Sequence, residues 1–327
     1  MQASRDSGPA GRPLSGALRV AVAGASFFGI AVVAELLGEF WWLFDLANHF
    51  RIQIAWGLTL ILGTFLLARR RRAALAAAVL LFLQLWLCVP ALNHGGGLAT
   101  PKRADGRAIR VMTLNVWARN RQYERVAKLV HTESPDVVVL EEIDEGWRET
   151  LELLEPDWPY QKMVLDGGHF GISLLSRIPF VDARIERITG EIPAIVAEVG
   201  VDGVPLSVCG VHLTRPTSRA GSERQARQYD QLIERLAGEP PARIVLGDFN
   251  ATPWTRSFAR FCERSGLRNS RSGFGILPSW PTFVPGVLRI PIDHCLTSPA
   301  VEVRHIRIGP SVGSDHLPVV VDLMVSK

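Results

Sequence analysis

The sequence predicts an α/β domain of layered sheets preceded by three membrane-crossing helices. Apolar runs near 20–37, 52–68 and 73–92 each approach the roughly 20 residues a helix needs to cross a bilayer. From residue 108 onward, short β-branched runs alternate with amphipathic stretches of helical period. Polar residues suited to catalysis gather at the ends of those runs.

The chain's 327 residues suffice for one large domain plus an appendage. Hydrophobic residues make up 47% and the mean hydropathy is +0.15. A soluble enzyme of this size ordinarily has a negative mean, so part of the apolar content belongs outside a water-soluble core. The net charge is only +4, but arginines flank the apolar runs, which points to a bilayer rather than to a nucleic-acid-binding tail. Cys88, Cys209, Cys262 and Cys295 form no C-x-x-C pair, so neither a structural zinc site nor a disulfide framework is expected.

Residues 1–19, rich in Gly, Pro, Ser and Arg, are expected to be a disordered cytoplasmic tail. The three apolar runs lack the polar stripe of a helix buried in a soluble protein. A cleaved signal peptide ending near Val32-Val33-Ala34 is the alternative for the first. Four consecutive arginines, Arg69 to Arg72, join the second and third runs and favour the cytoplasmic face. Arg5, Arg12 and Arg19 then fall inside too. Trp41, Trp42 and Trp56 fit an interfacial belt on the other side. The expected protein is therefore a multi-pass protein of the cytoplasmic (inner) membrane, with its N-terminus inside and everything after about residue 95 extracytoplasmic. A Gly-rich linker at 93–107 is too short to let the domain at 108–327 roam far from the surface.

Within that domain strands are expected at 109–115, 136–140, 171–176, 195–201, 205–211, 243–246, 292–297, 301–308 and 318–324, and helices at 122–133 and 218–237. Mixed strand order with helices outside implies layered sheets. Asn115 ends the first strand, Glu141 and Glu142 the second. His212 ends LSVCGVH, Asp248 and Asn250 follow RIVLG, Asp293 opens IDHCL, and Asp315 and His316 precede the last strand. Carboxylates with an amide suit a hard, oxygen-preferring cation such as Mg²⁺. Histidines move protons or offset charge near neutral pH. The chain has no Gly-x-Ser-x-Gly elbow, Walker-type loop or H-E-x-x-H, which argues against a serine hydrolase, an NTPase and a zincin.

The ordered set L-N at 114–115, L-E-E at 140–142, L-L-S-R-I-P at 174–179, V-H-L at 211–213, G-D-F-N at 247–250, I-D-H at 292–294 and S-D-H-L-P at 314–318 resembles the endonuclease/exonuclease/phosphatase superfamily of DNase I-like proteins. The resemblance spans about residues 108–325. It implies a four-layer α/β sandwich, two central mixed sheets flanked by helices. It also implies roles: Glu142 as acidic metal ligand with Asn115 beside it and Asp315 nearby, Asp248 orienting the attacking water, and Asn250 on the phosphate. Asp293 would fix the imidazole of His316, and His212 would stabilise or protonate at the scissile phosphate. Arg215 is a candidate for binding substrate anions. Glu141 faces away from Glu142 by strand alternation. His169, His294 and His305 match no motif and are expected to be structural, and Arg224 is read equally as a solvated helix residue.

Trp117 stands where the abasic-site endonucleases of this superfamily carry an acid or amide, and His212 where they carry tyrosine. No Lys/Arg stripe interleaved with aromatics suggests a DNA groove. With three apolar helices in front, the chain more closely resembles the membrane-anchored subgroup that includes teicoplanin-resistance membrane proteins. The expectation is a phosphohydrolase dependent on Mg²⁺, with Mn²⁺ as the alternative ion. It would act outside the cytoplasm on a phosphate-containing substrate, a lipid-linked phosphate or pyrophosphate, with the apolar stretch 279–291 bordering the site and meeting lipid. An extracytoplasmic nuclease or phosphodiesterase is the competing enzyme, and a catalytically silent membrane sensor or scaffold the competing class.

Overall fold

The computed structural model describes residues 16–93 and 106–326. The expected tail and linker therefore lie outside the described residues, except that the first helix already begins at Gly16 and the first strand at Gly106.

Helix α1 spans Gly16–Leu36, α2 Trp42–Ala47, α3 Arg51–Leu67 and α4 Arg71–Asn93. Three spans, Gly16–Leu36, Trp42–Leu67 and Arg71–Val89, are long and apolar enough to cross a membrane, with mean hydropathies of 2.0, 1.6 and 2.0. Large apolar side chains such as Phe27, Ile30, Leu60, Phe82 and Trp86 point outward from them. That surface is stable in hydrocarbon and unstable in water. At the end away from the arginine hairpin the three pack around a buried polar group: Arg51 lies 3.4 Å from Glu35, and Gln84 donates to Glu35 at 3.1 Å.

The rest of the chain forms two six-stranded sheets. The strands are β1 Gly106–Asn115, β2 Val137–Glu141, β3 Tyr160–Val164, β4 Ile172–Ser176, β5 Phe180–Ile188, β6 Ile192–Val201, β7 Val204–His212, β8 Ala242–Asp248, β9 Arg268–Asn269, β10 Asp293–Thr297, β11 Val301–Ile308 and β12 Val319–Ser326. One sheet runs β11-β12-β1-β2-β4-β3 and the other β5-β6-β7-β8-β10-β9. Both are mixed, with parallel pairs at β1–β2 and β7–β8. The β-branched runs VVVLE and ARIVLGD are buried on both faces, as central strands between layers must be.

Val111, Val139, Leu174, Val208, Ile244 and Leu323 belong to the core between the sheets. On the outer face of the first sheet lie α5 (Tyr123–Glu133) and α6 (Arg148–Leu154). On that of the second lie α7 (Arg219–Leu236) and α8 (Arg256–Ser265). Val126, Leu129 and Val130 form the apolar stripe that seats α5. Ser218 caps α7 by accepting from the Gly221 N–H at 3.0 Å. The result is the four-layer sandwich of a DNase I-like fold. Strands β3, β5 and β9 and helices α6 and α8 were not expected from sequence. Strand β5 interleaves charges with exposed Val181 and Ile185, and the other four are too short for their period to stand out.

The two parts touch through polar contacts. Asp45 of α2 accepts from the backbone N–H of Arg256 at 2.8 Å and of Ser257 at 3.5 Å. Thr255, the N-cap of α8, makes no side-chain cap of its own. The indole of Trp254 donates to Cys88 O at 3.3 Å. The N-terminal apolar helices thus cap a helix of the second sheet's outer layer.

Candidate active site

Strand register builds the site. Asn115 stands opposite Glu141 at the ends of parallel β1 and β2. His212 stands opposite Asp248 at the ends of parallel β7 and β8, and Asp248 opposite Asp293 at the start of antiparallel β10. Each sheet thus presents a row of polar residues at one edge. Gly247 makes the second row possible. Its φ is +145°, and a Cβ there would lie 1.8 Å from Val211 O, so only glycine lets β7 and β8 end side by side.

Glu142, one residue past β2, adopts φ +60°. This left-handed conformation costs a non-glycine residue about 1 kcal/mol or more. It turns the carboxylate of Glu142 away from that of Glu141 and toward the other sheet. Glu142 Oε2 accepts from the Ala118 N–H at 2.9 Å, and Oε1 from Asn115 Nδ2 at 3.0 Å and from Arg215 at 3.2 Å. The same Asn115 nitrogen lies 3.1 Å from Asp248 Oδ2. Asn115 therefore joins the two rows. Asn250, also left-handed with φ +49°, donates to Leu213 O at 2.8 Å, while its N–H reaches Asp248 Oδ1 at 2.8 Å.

His316 enters between the rows. Ser314 fixes its loop by donating to Asn115 O at 2.6 Å and accepting from the His316 N–H at 2.9 Å. His316 Nδ1 donates to both oxygens of Asp293 at 3.0 Å, and Nε2 lies 3.8 Å from Asp248 Oδ2. His212 Nε2 lies 3.5 Å from the same Asp248 oxygen and 4.0 Å from Glu142 Oε1.

These neighbours set the charges. Burial alone would favour neutral His316, but Asp293, its hydrogen bond, Asp248 and Asp315 outweigh it and hold the imidazolium up to about 10. Burial pushes His212 down to about 4 against the pull of Glu142, so this imidazole is neutral. Burial raises Asp248 to about 7, opposed chiefly by His316. For Glu142 burial acts upward, but His212, Asn115, the Ala118 N–H and Arg215 together hold it below the ordinary range. Glu141 is driven well above that range by burial and keeps its proton, with Thr113 2.5 Å away.

A cation has two places to consider. One ligand atom each from Asp248, Asp293 and His316 lie within 4.8 Å of one another. There, however, an imidazolium already balances two carboxylates, and a protonated imidazole is no ligand. Carboxylate oxygens such as those of Glu142 and Asp315 are the donors a hard divalent ion prefers. Asp315 Oδ1 is buried without a hydrogen-bond partner, and a bound ion would satisfy such an atom.

All nine residues singled out in the sequence lie in or beside this cluster. Asp315 joins it at the side, through His316 at 4.0 Å and the indole of Trp280 at 3.1 Å. Arg215 reaches Glu142 from a largely exposed position. His169 was read as structural, yet its Nδ1 lies 3.5 Å from Glu142 Oε2. No motif marks it, because it stands on a loop between β3 and β4. Trp280 was likewise missed as a partner of Asp315. His294 is buried; it donates to Ala251 O at 2.7 Å and accepts from Arg271 at 3.1 Å.

Acids, amides and histidines at facing edges of two stacked mixed sheets define a DNase I-like phosphoesterase scaffold. The chain belongs to the Endonuclease/Exonuclease/phosphatase family, whose model matches residues 112–316. The members that name the family are hydrolases of phosphate ester bonds. None of the curated proteins compared matches the sequence. Among solved structures, the endonuclease/exonuclease/phosphatase from Beutenbergia cavernae is 21% identical, covering 67% of this chain and 72% of its own, with a TM-score of 0.55. The family protein from Bacteroides vulgatus is 18% identical, covering 67% and 100%, with a TM-score of 0.57. D. rerio TDP2 complexed with single strand DNA product is 17% identical, covering 66% and 98%, with a TM-score of 0.56. At these identities the likeness is one of fold.

Proposed function

We propose that this chain is a membrane-anchored, Mg²⁺-dependent phosphohydrolase acting on a lipid-linked phosphate or pyrophosphate outside the cytoplasm. The observation that carries it is the meeting of Glu142 and Asp248, one from each sheet, on the single amide of Asn115. The arginine hairpin at 69–72 supports the orientation, and the outward-facing apolar helices support the anchor.

In this reading Glu142, Asn115 and Asp315 hold the ion. When bound, Mg²⁺ offsets the negative charge that develops on the phosphoryl oxygens. Asp248, with an affinity for protons near neutral pH, orients water and accepts its proton as the oxygen attacks phosphorus. The imidazolium of His316, aligned by Asp293, faces the same charge, and Asn250 binds a phosphate oxygen. His212, neutral in the free site, donates a hydrogen bond to the departing oxygen. Arg215 contributes a guanidinium at the rim.

The test is phosphate release by the full-length protein in detergent–lipid micelles from a lipid pyrophosphate, a phosphodiester and nucleic acid. Hydrolysis of the lipid substrate should depend on Mg²⁺. In Glu142→Gln it should fall by about 10²-fold or more. Full activity in Glu142→Gln would falsify the ion assignment. Plasmid nicking without lipid hydrolysis would select a nuclease. No Mg²⁺ binding by calorimetry, with no hydrolysis, would select a silent scaffold.

A further inference from the structure

The loop between β9 and β10 ties the site to a membrane helix. At its site end, Trp280 donates to Asp315 Oδ2 at 3.1 Å, the Thr282 N–H to Asp315 O at 2.8 Å, and the Leu317 N–H to Ser279 O at 2.9 Å. At its far end, Gln53 of α3 donates to Arg289 O at 3.0 Å and to Val287 O at 3.4 Å. Between these anchors runs Phe-Val-Pro-Gly-Val-Leu, residues 283–288, without a charge. Phe283, Val287 and Leu288 are 77%, 58% and 52% exposed. Arg289 turns back to bind Val284 O and Thr282 O at 3.0 Å each. The tip is therefore an apolar surface left uncovered by the described residues, with its polar groups folded inward.

The position of Gln53 sets the depth. It lies fourteen residues from Leu67, where α3 ends beside the arginine hairpin. Along a helix axis that is roughly 21 Å, against a hydrocarbon core of about 30 Å. With Leu67 at one boundary, Gln53 stands about 9 Å inside the other. A loop hydrogen-bonded to Gln53 therefore lies within the leaflet opposite the arginine hairpin. Trp41, exposed, stands near the same end of the helices, where indoles favour the interface. Local thinning of the bilayer, at fractions of a kcal/mol per Å, brings the level of Gln53 closer to the headgroups.

We infer that residues 283–288 form a bilayer-inserted tip on the active-site loop, so that the site takes its phosphate from a lipid lying in the membrane and not from a solute. The partner is the lipid surface around α3. The substrate class is a phosphate or pyrophosphate ester carried on a lipid. This rests on the hydrolytic reading given above.

The test uses the full chain in phosphatidylcholine–phosphatidylglycerol nanodiscs. An environment-sensitive fluorophore on Phe283→Cys, in a Cys262→Ser background, should be quenched by lipids bearing a shallow nitroxide and shielded from aqueous iodide. Quenching by iodide alone overturns the tip. Phe283→Ser and Leu288→Ser, both at exposed positions, should each lower kcat/KM for a nanodisc-embedded polyprenyl diphosphate or phosphatidic acid by about tenfold. Hydrolysis of soluble bis(p-nitrophenyl) phosphate should stay within about twofold. Equal losses on both substrates, or a wild type that hydrolyses soluble esters only, overturn the lipid-substrate inference. A wild type that hydrolyses nothing defeats the hydrolytic reading, and with it the substrate class, while the fluorescence still decides the tip.

Discussion

Two buried polar clusters, one between the apolar N-terminal helices and one between the sheets, are built from similar side chains to opposite ends. Among the helices, one acid faces one base: Glu35 meets Arg51 at 3.4 Å, Gln84 donates to Glu35, and Asn48 accepts from Arg51. Between the sheets, Glu142, Asp248, Asp293 and Asp315 share the His316 imidazolium and the rim guanidinium of Arg215. The first cluster is closed and can only hold helices together. The second has acid in excess and a strained Glu142. Surplus negative charge at low dielectric is costly unless a cation or a reaction uses it.

Breaking the open cluster should have the largest effect. In Asp293→Asn, His316 loses the carboxylate that aligns it and holds it charged, and kcat should fall by about 10³–10⁴-fold. Folding, followed by near-ultraviolet circular dichroism, should change little. A fall in thermal stability with unchanged kcat would place Asp293 among structural residues instead.

The closed cluster should respond the other way. Arg51→Leu leaves Glu35 without its cation and should cost about 3 kcal/mol of stability. Catalysis per folded molecule should persist. Glu35→Leu combined with Arg51→Leu should restore much of the loss, measured as Tm in detergent. If either change abolishes turnover in protein that remains folded, the two clusters are not separable.

Acid should affect the sheet domain through its buried neutral histidines. Burial and Arg271 push His294 down to about 3, and His212 sits at about 4. Unfolded histidines take up protons near pH 6.5, so the unfolded chain binds more protons below that value. This part of the stability is complete above about pH 6.5 and is lost as pH falls toward 4, by up to about 1.4 kcal/mol per pH unit for each histidine. His294→Gln should flatten the acid limb of a Tm–pH curve by about half of the histidine part. An unchanged slope would show that His294 is already charged in the fold.

Much of the fold was legible because its signals are local. VVVLE and RIVLG read as buried strands from composition alone, and the stripe Val126, Leu129, Val130 marked α5. The site was legible because strand ends are where polar residues interrupt apolar runs, as at Asn115, Glu142, His212 and Asp248. Strand β5 escaped notice because Asp182, Arg184 and Glu186 alternate with the exposed Val181 and Ile185, so neither face is cleanly apolar.

The sequence by itself determined the strand ends, the ordered acids and histidines, and the three apolar helices, because period and composition act over a few residues. Only the tertiary structure decided which of these groups meet. Asn115 joins Glu142 to Asp248 across 133 residues. His169 approaches Glu142 from a loop without a motif, Asp45 caps α8 from among the membrane helices, and Gln53 holds the tip of the site's own loop. Such contacts depend on how sheets stack and helices dock, and those distances are set by the packing of the whole core, not by any stretch of chain.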